Sequence, residues 1–181
     1  MLNDRLSPRR VLLSAWIPAA ICVAMIAISS SDTFSADNTS SVFRPWFQNI
    51  FGPVANVVWM KLLYDIRKTG HFFGYGFVSV VFFRAWRMTF RLNCAYSAVT
   101  ASLRAAAVAL LSTLIVSSAD EFHQSFLPKR TGSPFDVLLD MCGAVTCHLI
   151  LFTFVGSLLE LASTTSPLVE TARHHRAENP D

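Results

Sequence analysis

The stretch Asp120-Glu121-Phe122-His123-Gln124-Ser125-Phe126-Leu127-Pro128-Lys129-Arg130 decides how this chain is read. Together with Asp136 and Asp140 it places seven titratable side chains within 21 positions, between two runs that are otherwise apolar. Ionisable groups inside or at the edge of a bilayer are costly and mark functional sites. The flanking runs are residues 105–119 and 136–161. The first is short and reaches the roughly 20 residues of a transmembrane helix only if polar residues of the central stretch are counted as helix, and the second is polar-ended, opening with Asp136 and Asp140. The polar groups therefore belong at the membrane boundary or just inside it.

Composition supports a membrane setting. Of 181 residues, a single-domain length, 52% are hydrophobic and 15% charged, against roughly 25% charged in soluble domains. The net charge of +3 is small, and Lys and Arg are scattered at the edges of apolar runs. Without a dense basic face, nucleic acid is excluded as a partner. The chain has no P-loop or GxGxxG glycine motif to cradle a phosphate. Cys22, Cys94, Cys142 and Cys147 form no CxxC pair and are read as small buried hydrophobes.

Two more apolar runs precede the central stretch. Residues 11–28 follow Arg5, Arg9 and Arg10. At 18 residues, with no A-x-A site close behind, this run is a retained helix rather than a cleaved leader. Neighbouring helices can accommodate its Pro18. The second run begins near Lys68 and His71, continues over 72–83, and ends at Arg84 and Arg87. Between them, residues 29–67 pass from a polar loop to an aromatic segment with Phe43, Trp46, Phe47, Phe51 and Trp59. That segment is expected to lie in the membrane interface, a short soluble helix being the alternative.

The expected fold class is all-α: an integral membrane bundle of four transmembrane helices with an interfacial segment after the first. Residues 1–10 form a cytoplasmic N-terminus, 11–161 the membrane domain, and 162–181 a polar, disordered cytoplasmic tail. The tail's Arg173-His174-His175-Arg176 run reads as solvated rather than metal-binding. Nine of the 15 Lys and Arg residues fall in the N-terminus, the loop between runs two and three, and the tail. The positive-inside rule then puts both termini in the cytoplasm.

With that topology Lys68, His71, Asp120, Glu121, His123, Gln124, Arg130, Asp136 and Asp140 share one membrane level, the extracytoplasmic one. Helical spacing aligns Lys68, His71 and Tyr75 on one stripe, Asp120, His123 and Gln124 on a second, and Asp136, Asp140 and Gly143 on a third. Gly143 permits close helix approach. Polar stripes at one depth escape lipid by facing one another. They form either an outward-facing pocket or an ion-pair network that only holds the bundle together.

Three chemistries remain open for such a pocket. Lys68 and Arg130 can hold an anionic headgroup, Arg as a fork and Lys as a point charge, with Tyr75, Gln124, Asp136 and Asp140 lining the site. Alternatively, His71, Asp120 and Glu121 can serve as acid and base against a lipid phosphate or ester. Structural glue is the third. With no HExxH or similar spacing, neither metal nor cofactor is expected. Ser117 and Ser118 are read as helix-packing residues.

Taken in order, Ser29-Ser30, Lys68-x-x-His71-x-x-x-Tyr75, Asp120-Glu121-x-x-Gln124-x-x-x-Pro128-x-Arg130 and Asp136-x-x-x-Asp140-x-x-Gly143 resemble the VanZ-like family. The resemblance runs over roughly residues 11–160 and is specific as a set. It implies a small polytopic membrane protein of the cell envelope, whose partner is a membrane lipid or lipid-linked envelope precursor. It also implies a link to resistance against the glycopeptide antibiotic teicoplanin. The chain departs from the pattern at Lys129, where a glycine often precedes the arginine, and at His148, where a small residue is usual.

Overall fold

The computed structural model describes residues 7–92 and 96–154. Pro8 stands in the first turn of α1 (Pro8–Ser29), where its missing N–H deprives no intrahelical acceptor. Leu13, Ile17, Ile21, Met25 and Ile28 of α1 are each more than half exposed. So much contiguous apolar surface suits lipid far better than water. Ala15 and Ala19, one turn apart, are buried, and α1 packs on α3 (Asn56–Leu92). Trp16 donates to Thr89 Oγ1 at 3.1 Å across that contact.

A single 3-10 turn, Asp32–Phe34, leads from α1 into α2 (Ala36–Phe51). Ser35 caps α2 by accepting the Asn38 N–H at 3.5 Å. Gly52 ends it at φ +83°, in the left-handed region that suits glycine. Val42, Phe43, Trp46 and Ile50 fall on one stripe of α2 and are all exposed, the amphipathic pattern of a helix lying in an interface. Trp59 behaves differently from the sequence expectation. It is 2% exposed, lies tilted against Phe47 with ring centroids 5.4 Å apart and donates to Ser40 Oγ at 2.6 Å, so it fastens α3 to α2.

The second apolar run is only the middle of a much longer helix. α3 starts at Asn56 rather than near Lys68 and has 37 residues, roughly 55 Å at 1.5 Å per residue. It is the central element, packing most extensively on α4 (Ala98–Gln124) and next on α1. The last described helix, α5, is Pro134–Phe154. Among the described residues the architecture is helical with no strand. The compact unit that carries the site ends at Cys147.

Among the described residues three helices, α1, α4 and α5, are long and apolar enough to cross a membrane, where four were expected. α3 falls short because its apolar part, residues 72–83, is bounded by Lys68 and His71 on one side and by Arg84 and Arg87 on the other. Burial corrects the cysteine reading too: Cys22 and Cys147 are half-buried and Cys142 is exposed. Cys94 and the expected tail at 162–181 lie outside the described residues.

One stripe on α4 explains how the bundle closes. Ala101, Ala105, Ala109, Thr113 and Ser117 follow one another at i+4, and all are fully buried. Small side chains let helix backbones approach closely. The next member of the stripe is Glu121. On α5, a Cβ at Gly143 would run into the carbonyl oxygen of Phe72, and one at Gly76 would come within 2.6 Å of Cys147 Sγ. α3 and α5 are thus in backbone contact at the level of the polar residues.

Candidate functional site

Four elements deliver polar groups to one end of the bundle: the C-terminal ends of α1 and α4, the N-terminal end of α5, and the middle of α3. Asp120, Glu121, Gln124, Asp136 and Asp140 are all buried, Asp140 completely. Such burial is tolerable only where each group finds partners.

Asp120 has three donors. Ser30 at the end of α1 reaches Oδ1, while the Tyr75 hydroxyl reaches Oδ2 at 2.7 Å and Gln124 Nε2 reaches Oδ2 at 3.1 Å. Gln124 in turn accepts from Arg67 Nη2 at 2.7 Å through Oε1. Lys68 pairs with Asp136.

The remaining acids surround one histidine. His71 Nδ1 is 3.1 Å from Asp140 Oδ1 and 3.9 Å from Glu121 Oε1. The outer oxygens of both acids are fixed from behind. Ser117 donates to Asp140 Oδ2 at 2.5 Å, and the Ser133 backbone N–H donates to Glu121 Oε2 at 2.8 Å. Gly132 allows that last bond, because a Cβ there would strike the Glu121 carbonyl. Asp140, Glu121 and His71 offer one ligand atom each within 4.8 Å of the others, a spacing that could hold a metal ion.

Arg130 does not pair with the acidic motif. Its Nη2 donates to the carbonyl oxygens of Ser29 at 2.5 Å and Ser31 at 3.1 Å, satisfying acceptors that the end of α1 leaves open. Its Nε is buried with no hydrogen-bond partner. Burial first, and the nearby Arg67 next, hold the Arg130 guanidinium below its ordinary pKa. The carboxylates of Asp120, Asp32 and Glu121 act in the opposite sense.

Both arginines line a cavity of about 530 Å³. Its polar end is made by Ser29, Ser30, Arg67, His71, Tyr75, Asp120, Gln124 and Arg130, and its walls by apolar residues including Met25, Ile26, Phe34, Leu63, Phe77 and Val78. His71 and Asp120 thus belong to one cavity.

Helix topology and this set of paired residues meet in a single comparison. A family model described as VanZ/LLP1 matches residues 15–155. The chain belongs to the VanZ/LLP1 family. No curated protein and no solved structure matches it. VanZ/LLP1 membership and three apolar helices fit a multi-pass membrane protein.

Within this VanZ-family chain the sequence-expected residues fall into three bonded sets: Tyr75 and Gln124 on Asp120, Glu121 and Asp140 around His71, and Lys68 on Asp136. His123 is exposed and points away. Following the alanine stripe at i+4 leads to Glu121 and would have excluded His123. Three contributors escape the sequence reading. Arg67 is masked by Lys68 beside it, Ser117 reads as packing, and the Ser133 contribution is a backbone N–H with no sequence signal at all.

Proposed function

We propose that this chain is a multi-pass protein of the cytoplasmic membrane, with both termini cytoplasmic, that binds the anionic headgroup of a lipid or lipid-linked envelope precursor. The observation that carries this reading is the cavity with two arginines at its polar end and apolar walls from α1, the turn after it, and α3. An amphipath with a negative head meets both needs. Its head relieves the proximity of Arg67 and Arg130 and offers an acceptor to the buried Arg130 Nε, while its chain covers the apolar wall. α3 supplies the fourth span, with its apolar part at residues 72–83 and its polar ends sheltered by neighbouring helices. Action beside lipid-linked envelope precursors puts teicoplanin susceptibility among the phenotypes to measure.

Lipids retained through purification in mild detergent, identified by mass spectrometry, test the headgroup. Arg67→Gln is the cleaner variant, because Arg130 also closes the end of α1. Losing a charge-assisted hydrogen bond weakens binding by about 1.5–3 kcal/mol, so retained anionic lipid should drop while folded yield holds. Anionic lipid retained at wild-type level by Arg67→Gln refutes the reading. For orientation, Ser41→Cys in a background without the native cysteines should react with an impermeant thiol reagent from outside the cell.

A second reading is acid/base hydrolysis of a lipid phosphate or ester. His71, held on the cavity wall between Asp140 and Glu121, is the observation that favours it. Release of headgroup from a retained lipid, abolished by His71→Gln in folded protein, is the outcome that would favour it over binding alone.

A further inference from the structure

We infer that His71, Glu121 and Asp140 form a binding site for one divalent transition-metal ion of the Mn2+ or Zn2+ class. Nδ1 of His71 faces Oδ1 of Asp140 at 3.1 Å and Oε1 of Glu121 at 3.9 Å. Two ligands on one such ion, at bond lengths of about 2.0–2.2 Å, stand roughly 3.0–3.5 Å apart. The His71–Asp140 leg already has that spacing, and Glu121 closing on the other two would complete the coordination. Imidazole nitrogen with two carboxylate oxygens suits Mn2+ and Zn2+, whereas copper(I) prefers sulfur.

Proximity alone would also describe an ion pair, and a second observation separates the two. Glu121 is 4% exposed, yet its Oε1 has no hydrogen-bond partner. A buried carboxylate oxygen left without a donor is costly. It is aimed at the point where His71 and Asp140 also converge. The bonds behind the ligands fit the same account. Ser117 holds the far oxygen of Asp140 and the Ser133 N–H holds the far oxygen of Glu121. Each acid is thereby oriented with one oxygen committed and one presented, as outer-shell partners do around metals. The three ligands arrive from α3, α4 and α5, so no single-helix motif such as HExxH announces them.

Full-length protein in mild detergent, stripped with a chelator and desalted, is titrated with MnCl2 and separately with ZnCl2. Bound metal is then counted by plasma mass spectrometry after free ion is removed. Wild type should bind one equivalent of at least one of the two. Glu121→Gln and His71→Gln should lose it, while His123→Gln, at an exposed histidine of the same helix end, should keep it. Ser117→Ala retains all three ligands but frees Asp140 to rotate, and should weaken binding by roughly 10- to 100-fold. This variant keeps the test sharp if a ligand substitution impairs folding. No metal on wild type, or the same stoichiometry and affinity in Glu121→Gln and Ser117→Ala as in wild type, overturns the inference. Because the titration uses metal alone, its failure leaves the headgroup reading of Arg67 and Arg130 intact, and loss of that reading leaves this one intact.

Discussion

The two ends of the α3–α4 pair are joined by different physics along one continuous stripe. At the end near the start of α4, Ala101, Ala105 and Ala109 are fully buried and carry nothing beyond Cβ. Contact through these alanines is dispersive and has no preferred direction, and the directed bonds beside it, Arg87 to Ser102 and Trp86 to Ser112 at 3.1 Å, involve no carboxylate. Aromatic rings close it off, with Trp86 near Phe90 at 5.7 Å and Arg104 over the Tyr96 ring at 4.2 Å. At the other end the same stripe turns into Ser117, Glu121 and Gln124, where each contact is a directed bond. Small apolar residues would have joined the helices at both ends without desolvating four carboxylates. Buried ion pairs are weak evidence for stability. Their concentration at one end, around a cavity, is better evidence that this end does something besides hold.

The largest effect expected in that contrast is at Asp140. It is fully buried and partnered on both oxygens by His71 and Ser117. Asp140→Ala strands both partners, and breaking a buried pair costs about 3–5 kcal/mol. Thermal unfolding in detergent should show a large drop, and an unchanged midpoint would mean the polar end contributes no cohesion.

Next comes Tyr75→Phe, which removes one of three donors to Asp120 and leaves Ser30 and Gln124 in place. A bond to a charged acceptor contributes about 1.5–3 kcal/mol. The same unfolding assay should register a loss smaller than that of Asp140→Ala.

At the apolar end, Ala105→Leu forces extra carbons into a position with no exposed surface. Overpacking of this kind costs about 1–3 kcal/mol. Retained lipid should not change, since Ala105 is remote from the cavity lining. A larger loss here than at Asp140 would reverse the comparison and make the alanine face the tighter of the two.

The smallest effect is expected at His123. Although it belongs to the Asp120–Gln124 motif, its side chain is exposed. His123→Ala should shift stability by no more than about 0.5 kcal/mol. A shift comparable to that of Tyr75→Phe would show that the polar network extends to the outer face of α4.

Much of this was decided by the sequence on its own, because helix periodicity and apolarity are local properties. The apolar runs of α1, α4 and α5, the exposed aromatic face of α2, and the gathering of Asp120, Glu121, Gln124, Asp136 and Asp140 at one end all follow from composition and spacing. The true start of α3 did not. Nothing apolar marks Asn56, and residues 56–67 are held helical partly by Trp59 docking on α2. Partner choice was equally out of reach. Arg67 and Lys68 lie about 100° apart around α3, so the rotation of the helix decides that Arg67 reaches Gln124 and Lys68 reaches Asp136. That rotation is set by backbone contact, with Gly143 seated on the Phe72 carbonyl. The His71, Glu121 and Asp140 cluster is tertiary in the same sense. Its members are 50 and 19 residues apart in sequence, and only the packing of three helices, together with a backbone N–H from Ser133, turns three separate side chains into one site.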